Sequence, residues 1–134
     1  MDLTLSEEQR MLQDAAARFV RERYGLEERR RLLAAPDGWR GHWHSYAQFG
    51  WLGLLVPERF GGLGWTVLDA ALLFEELGHA IVLEPLLAAT LCVCLIDLAG
   101  NEAACAARLP GLAGGETILA LACEESHERR AAGS

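Results

Sequence analysis

The sequence predicts an all-α fold, a bundle of about six helices with one short strand candidate near the C-terminus. Apolar residues recur at three- and four-residue spacing through most of the chain. Helix-start residues open several of these runs, Ser6, Thr66 and Asn101 among them. Glycine and proline punctuate the gaps, leaving connections short enough to make successive helices neighbours. With 134 residues and 51% hydrophobic content, the chain can bury one core, so one domain is expected.

Ser6-Glu7-Glu8-Gln9 has the spacing of a capping box, in which the serine hydroxyl and the glutamine side chain each satisfy a backbone group at a helix start. Leu12, Ala15, Ala16, Phe19 and Val20 then form one apolar stripe, with Arg10, Asp14, Arg18 and Arg21 mostly opposite, and Gly25 ends the helix. Leu26 to Ala34 makes a second helix, stopped by the turn residues Pro36-Asp37-Gly38. Trp39 to Phe49 reads as a third, broken by Gly50.

The stretch Val56 to Trp65, VPERFGGLGW, holds three glycines and a proline and reads as a connector between helices. Its Gly61-Gly62-Leu63-Gly64 lacks the Gly-Lys-Ser/Thr ending of a P-loop, so a phosphate cradle is the weaker reading. Val67 to His79 forms a fourth helix capped by Thr66, with Leu68, Ala71, Leu72 and Leu77 as expected core positions. Pro85 suits the first turn of a fifth helix running to about Leu98, apolar almost all round and therefore expected at the centre of the bundle. Asn101 caps a sixth, ending near Leu109-Pro110 or shortly after. Thr117 to Cys123 is apolar and follows Gly114-Gly115, as an entering strand would, and the polar remainder looks like a frayed tail. The expected division is a helical domain over residues 1–116, then the start of a truncated β domain or a disordered tail over 117–134.

The net charge of −7, carried by 12 arginines and no lysine against 19 acidic residues, argues against a nucleic-acid surface. Arg29-Arg30-Arg31 follows Glu27-Glu28 and reads as a solvated, ion-paired face. Leu86 to Ile96 is the longest uninterrupted apolar run near the fifth helix, well short of the ~20 residues that cross a bilayer. The acidic start MDLTLSEEQR lacks the basic and apolar pattern of a secretory signal, so a cytoplasmic protein is expected. Cys92, Cys94, Cys105 and Cys123 have no paired ligand spacing and read as small buried hydrophobes with free thiols. His42 and His44 lie about 200° apart on a helix, and Cys92 and Cys94 fail as a ligand pair by the same geometry, so no metal is expected. Glu75-Glu76 diverge as adjacent helix positions, and no nucleophile–base arrangement has local support, so no catalytic residue is assigned.

Five ordered stretches carry a resemblance: Leu5-Ser-Glu-Glu-Gln9, Phe49-Gly-Trp-Leu-Gly-Leu54, VPERFGGLGW, Glu75-Glu-Leu-Gly78 and Leu109-Pro-Gly-Leu-Ala-Gly-Gly-Glu116. In order and spacing they resemble the amino-terminal helical domain of the acyl-CoA dehydrogenases, over about residues 1–124. Within that family, Glu27-Glu-Arg-Arg-Arg-Leu-Leu33 and Val82-Leu-Glu-Pro85 look most like the small subunit of two-subunit members such as pimeloyl-CoA dehydrogenase.

The resemblance implies a parent that removes two hydrogens across the α,β carbons of an acyl-CoA thioester, a carboxylate taking the α proton and FAD accepting the β hydride. It implies a helical domain followed by a β domain and a second helical domain, and homo- or hetero-oligomers of acyl-CoA dehydrogenase subunits. Glu84, Leu87, Thr90 and Leu91 correspond roughly to the acyl-lining region, with core packing as the alternative role for them. Ala122 and Cys123 stand where the family's first β strand contacts the flavin, with Cys123 in place of the threonine of a Thr-Glu-Pro pattern and Glu125 in place of its proline. Ser126 to Arg130 does not reproduce the Gly-Ser-Asp turn that follows in the family. The catalytic base belongs to the family's last domain, so the isolated chain is expected to bind no cofactor and to be inactive. The alternative is a non-catalytic assembly subunit for a catalytic partner. A weaker third reading is a stand-alone bundle with a hydrophobic ligand in its core. A mean hydropathy of +0.13 in so small a bundle also predicts apolar surface left for a neighbour, hence self-association.

Overall fold

The computed structural model describes residues 4–122. Six α-helices follow in order: α1 (Glu7–Arg23), α2 (Leu26–Ala34), α3 (Trp43–Gln48), α4 (Val67–His79), α5 (Leu86–Leu98) and α6 (Glu102–Ala113). Short 3-10 turns at Gly38–Arg40 and Glu58–Phe60 interrupt the connections before α3 and α4. Among the described residues there is no strand: 117–122 form no regular element, and Cys123 lies outside the described residues.

Two helix starts are tied together by one set of side chains. The Ser6 amide donates to Gln9 Oε1 at 3.0 Å and the Gln9 amide to Ser6 Oγ at 3.1 Å, closing the capping box on α1. Gln9 Nε2 then donates to Asp69 Oδ1 at 2.8 Å, while Asp69 Oδ2 accepts the Thr66 amide and hydroxyl, each at 2.7 Å. Burial alone would raise the Asp69 carboxyl, but the Thr66 hydroxyl and the Gln9 amide outweigh it and hold it below the usual carboxylate range. α1 and α4 pack along this line, burying Leu12, Ala16 and Phe19 from one and Ala70, Leu73 and Leu77 from the other.

That bond set corrects the expected register of α4. Asp69 is buried because its carboxylate is fully used, so the inward face runs Asp69, Ala70, Leu73, Leu77; Leu68 and Ala71 are exposed and Leu72 only half-buried. In α1, Ala15 is exposed and Val20 half-buried, narrowing the stripe. The third helix is shorter than expected, because the His42 amide donates to Glu84 Oε1 at 3.2 Å rather than to a carbonyl one turn back. Gly38, four residues earlier, presses against the Leu32 carbonyl, where no side chain fits. Residues 38–42 therefore turn instead of continuing a helix.

α5 is peripheral rather than central. Leu86, Ala89, Cys92 and Val93 are buried, whereas Leu87, Leu91, Leu95 and Leu98 are 59%, 45%, 47% and 82% exposed. A helix apolar on every side carries no information about which face turns inward. Packing against α6, which buries Cys105, Leu109 and Leu112, decides it.

The stretch from Gly50 to Trp65 is core without being helix. Trp51, Leu52, Leu54, Val56 and Phe60 are all buried. The chain doubles back on itself through Leu63, Gly64 and Trp65 amides donating to Gly53, Val56 and Leu54 carbonyls, each at 2.9 Å. Gly61 takes φ +85°, which glycine alone adopts without strain, and Gly62 lies directly on Val56.

These two glycines separate conformational from steric cost. At Gly61 an added methyl meets open space, so Gly61→Ala should lose about 1–2 kcal/mol for the left-handed backbone. Gly62→Ala overlaps the Val56 carbonyl and side chain and should lose about 2–3 kcal/mol or more. Urea denaturation of both variants checks the order; a larger loss at position 61 contradicts it.

Candidate functional site

The glycine loop has no amides left for a phosphate. Those of Gly61, Gly62, Leu63, Gly64 and Trp65 donate in turn to the carbonyls of Glu58, Pro57, Gly53, Val56 and Leu54. A cradle needs donors that are free before the anion arrives. VPERFGGLGW is a connector, and its glycines serve close packing.

The chemistry of the bundle gathers instead around Glu84. Its side chain is buried, and its carboxylate accepts three hydrogen bonds: Tyr24 Oη donates to Oε2 at 3.1 Å, Tyr46 Oη to Oε2 at 3.2 Å, and the His42 amide to Oε1 at 3.2 Å. Tyr24 Oη also accepts the Leu83 amide at 2.7 Å, so one phenol bridges the carboxylate and the backbone beside it. Burial, helped by the neighbouring Glu84 charge but opposed by the Leu83 amide, pushes the Tyr24 hydroxyl up to about 12. Burial and then the same charge push Tyr46 up as well. Both phenols therefore stay protonated and keep donating. The carboxylate is fully engaged inside the bundle, which suits a structural anchor.

Leu87, Thr90 and Leu91 lie on α5, the helix that the anchor leads into. Pro85, directly after Glu84, is the N-cap position of α5. The helical repeat then turns Leu87 and Leu91 outward, in line with Leu95 and Leu98. Thr90 is half-buried, and its hydroxyl donates back to the Leu86 carbonyl at 2.9 Å. The four acyl-lining candidates thus divide: Glu84 faces the interior, and Leu87 and Leu91 form an apolar outer stripe beside Thr90. Ala122 is exposed and offers no polar side chain, and Cys123 lies outside the described residues.

The remaining candidates keep apart. His44 pairs with Gln48 at 3.2 Å, whereas the His42 ring is enclosed among aromatic rings. Cys92 and Cys105 are buried, Cys94 is half-buried, and burial raises the Cys92 thiol, which disfavours the reactive thiolate. Among the described residues no group of three or more His, Cys, Asp or Glu side chains could hold a metal ion. Glu76 lies 3.5 Å from His79, and its neighbour Glu75 is exposed. Arg30 and Arg31 pair with Glu27 and Glu28 at 2.8 and 2.6 Å, the expected ion-paired face. No helix among the described residues is long and apolar enough to cross a membrane.

Sequence reasoning missed Tyr24, Tyr46 and the His42 amide as partners of Glu84. The available signal was a single carboxylate inside the apolar run from Ala80 to Ile96, which needs donors if it is buried. It also missed an apolar cleft of about 310 Å3, lined by Met11, Phe49, Trp51, Leu63 and Trp65 among others.

The two anchoring phenols are the only tyrosines in the sequence, which makes the anchor readable by pH. Their folded-state values lie above the ordinary 10.0, so the stability they contribute is complete below about pH 10 and declines above it, where the unfolded chain ionises first. Stability should fall by up to about 1.4 kcal/mol per pH unit per tyrosine above pH 10, and tyrosinate absorbance near pH 10 should rise only as the chain unfolds. Tyr46→Phe should cost about 1–3 kcal/mol at pH 7 and flatten part of that slope. Tyrosine ionisation near pH 10 in the folded chain contradicts the anchor.

Comparison with known proteins places this geometry. The family described as acyl-CoA dehydrogenase, N-terminal domain, matches residues 6–116. Acyl-CoA dehydrogenase IpdE2 of Mycobacterium tuberculosis is 34% identical over 127 residues, covering 93% of this chain and 39% of the relative. Mitochondrial isovaleryl-CoA dehydrogenase of Pongo abelii is 33% identical over 127 residues, covering 90% of this chain and 30% of the relative. Among solved structures, a chain of the electron transferring flavoprotein of Acidaminococcus fermentans superposes with a TM-score of 0.69 at 29% identity, covering 88% of this chain and 32% of that one. The chain therefore spans well under half the length of these relatives. The match extends from the α1 capping box through α6, and on that ground the chain belongs to the acyl-CoA dehydrogenase family, as its amino-terminal helical domain.

Proposed function

We propose that this domain forms one wall of the substrate cleft in an FAD-dependent protein that dehydrogenates an acyl-CoA thioester across its α,β carbons, and that it is inert alone. The observation that carries the reading is the one-sided α5, whose Leu87 and Leu91 stand outward from a helix entry fixed at Glu84. An acyl chain needs a dry apolar surface held in a fixed place. Glu84's part is to hold that helix entry, not to touch the thioester. The base and the flavin site would belong to segments that the parent supplies. We place the parent in the cytoplasm on the free thiols Cys92 and Cys105, which suit a reducing compartment.

A second reading, assembly with a catalytic acyl-CoA dehydrogenase subunit, is favoured by the length of the exposed stripe. It continues past the acyl-lining pair to Leu95 and Leu98, the latter 82% exposed. Stripes of this kind usually mark a protein contact. The likeness of Val82 to Pro85 to the small subunit of two-subunit members points the same way.

Position-specific charge separates the two. In the protein that carries this domain, Leu87→Asp and Leu91→Asp should raise KM for a fatty acyl-CoA about tenfold or more, while Leu26→Asp on α2, a comparably exposed site, should not. Loss of the complex on size-exclusion with Leu95→Asp or Leu98→Asp, at unchanged KM, supports the assembly reading. The isolated chain, given FAD and a fatty acyl-CoA, should leave a redox dye oxidised. Dye reduction by the chain alone, or no kinetic or assembly effect from any of these four variants, overturns the proposal.

A further inference from the structure

His42 Nε2 is buried and has no hydrogen-bond partner. Its side chain, 12% exposed, closes a cleft of about 430 Å3 whose other walls are Glu22, Arg23, Gly25 and Glu28. An unpaired polar atom in such a place is costly in a folded protein, commonly about 1–3 kcal/mol, and invites an explanation.

Every element packed on the ring contributes a group that bears on its charge. From α1 come the edge-on ring of Phe19, centroids 5.2 Å apart, and beyond its last turn Tyr24 at 5.3 Å, with Glu22 and Arg23 on the cleft wall. From α2 comes Glu28, whose Oε1 lies 3.6 Å from His42 Nε2, outside hydrogen-bond range for a neutral ring but directly before it. Glu28 is already gripped by Arg31 through two bonds of 2.6 and 2.7 Å, which hold its carboxyl below the usual range and keep it charged through neutral and mildly acidic pH. From the connector before α5 comes Glu84, bound to the His42 amide. Two carboxylates thus bear on His42, Glu84 on its backbone amide and Glu28 on the open nitrogen of its ring.

We propose that His42 and Glu28 form a proton-operated clasp between α2 and the start of α3. When the ring takes a proton from solvent, both nitrogens are donors, and Nε2–H closes the short gap to Glu28 Oε1 as a charge-assisted bond. When the proton leaves, Nε2 is unpaired and the clasp opens. The clasp matters because α2 is lightly held: Leu32 is its buried residue, and Arg29 Nε reaches the Ile81 carbonyl at 3.2 Å. Protonation therefore adds a tie to a lightly held helix, and α2 docks more firmly in mild acid.

A double-mutant cycle in the full chain tests this. Glu28→Gln removes the Arg31 pair at any pH, but should lower the melting temperature by roughly 2–6 °C more at pH 5.5 than at pH 8. In the His42→Gln background the extra loss at pH 5.5 should vanish. An equal effect of Glu28→Gln at both pH values, or a difference that survives in His42→Gln, overturns the clasp. Should His42→Gln not fold, amide hydrogen exchange answers without it. Protection of residues 28–32, corrected for intrinsic rates and referred to α4, should be greater at pH 5.5 than at pH 8 in the unaltered chain and equal in Glu28→Gln. A ratio that does not change with pH in the unaltered chain overturns the clasp equally.

Discussion

The bundle turns on a carboxylate with nowhere to go. Glu84 is buried, and its hydrogen-bonding partners are two phenols and a backbone amide, all neutral donors. A buried charge is tolerated only where its oxygens are satisfied, so the donors cannot be surrendered one at a time. They come from the residue capping α1, the residue before α3 and the second turn of α3, and they meet at the connector that starts α5. One side chain thereby fixes how four segments enter the same corner. The break ahead of α3 follows, since the His42 amide serves the carboxylate. So does the set of α5, whose first residue follows Pro85 from a clamped position.

A second constraint orders the opposite side. Asp69 takes donors from Thr66 and Gln9, so the starts of α1 and α4 are held in register. Between the two anchors runs the glycine loop, whose amides are consumed by its own carbonyls and whose tryptophan and leucine side chains fill the core. Acid anchors at both ends and a self-bonded loop between them give a scaffold that needs few long helices. The same economy leaves the outer stripe of α5 uncovered, and that stripe is what the proposed function uses.

Much of this was legible beforehand. Ser6-Glu7-Glu8-Gln9, Thr66 and Asn101 are local signals that depend on a few adjacent residues, and α1, α4 and α6 begin where they stand. The family's motifs were legible for the same reason, being short and ordered. The misplaced features depend on distant residues. Leu68 and Leu72 have better apolar credentials than Asp69, yet Asp69 faces inward because Gln9, sixty positions away, bonds it. The stop at His42 depends on Glu84, forty-two positions later. The faces of α5 are indistinguishable by hydropathy, so its orientation could come only from α6 and the connector. Of the candidate site, Leu87, Thr90 and Leu91 lie on one helix as expected. The inward turn of Glu84 was hidden, because nothing near it in sequence announces its donors.

The central claim, that Glu84 and Tyr24 hold the corner, is tested most directly by hydrogen exchange at two amides outside any helix, those of His42 and Leu83. Their acceptors are Glu84 Oε1 and Tyr24 Oη, so nothing from a helical ladder protects them. The account predicts that both exchange as slowly as the core amides of α4, opening only with global unfolding. Exchange at the rate of an exposed loop at either position would contradict it.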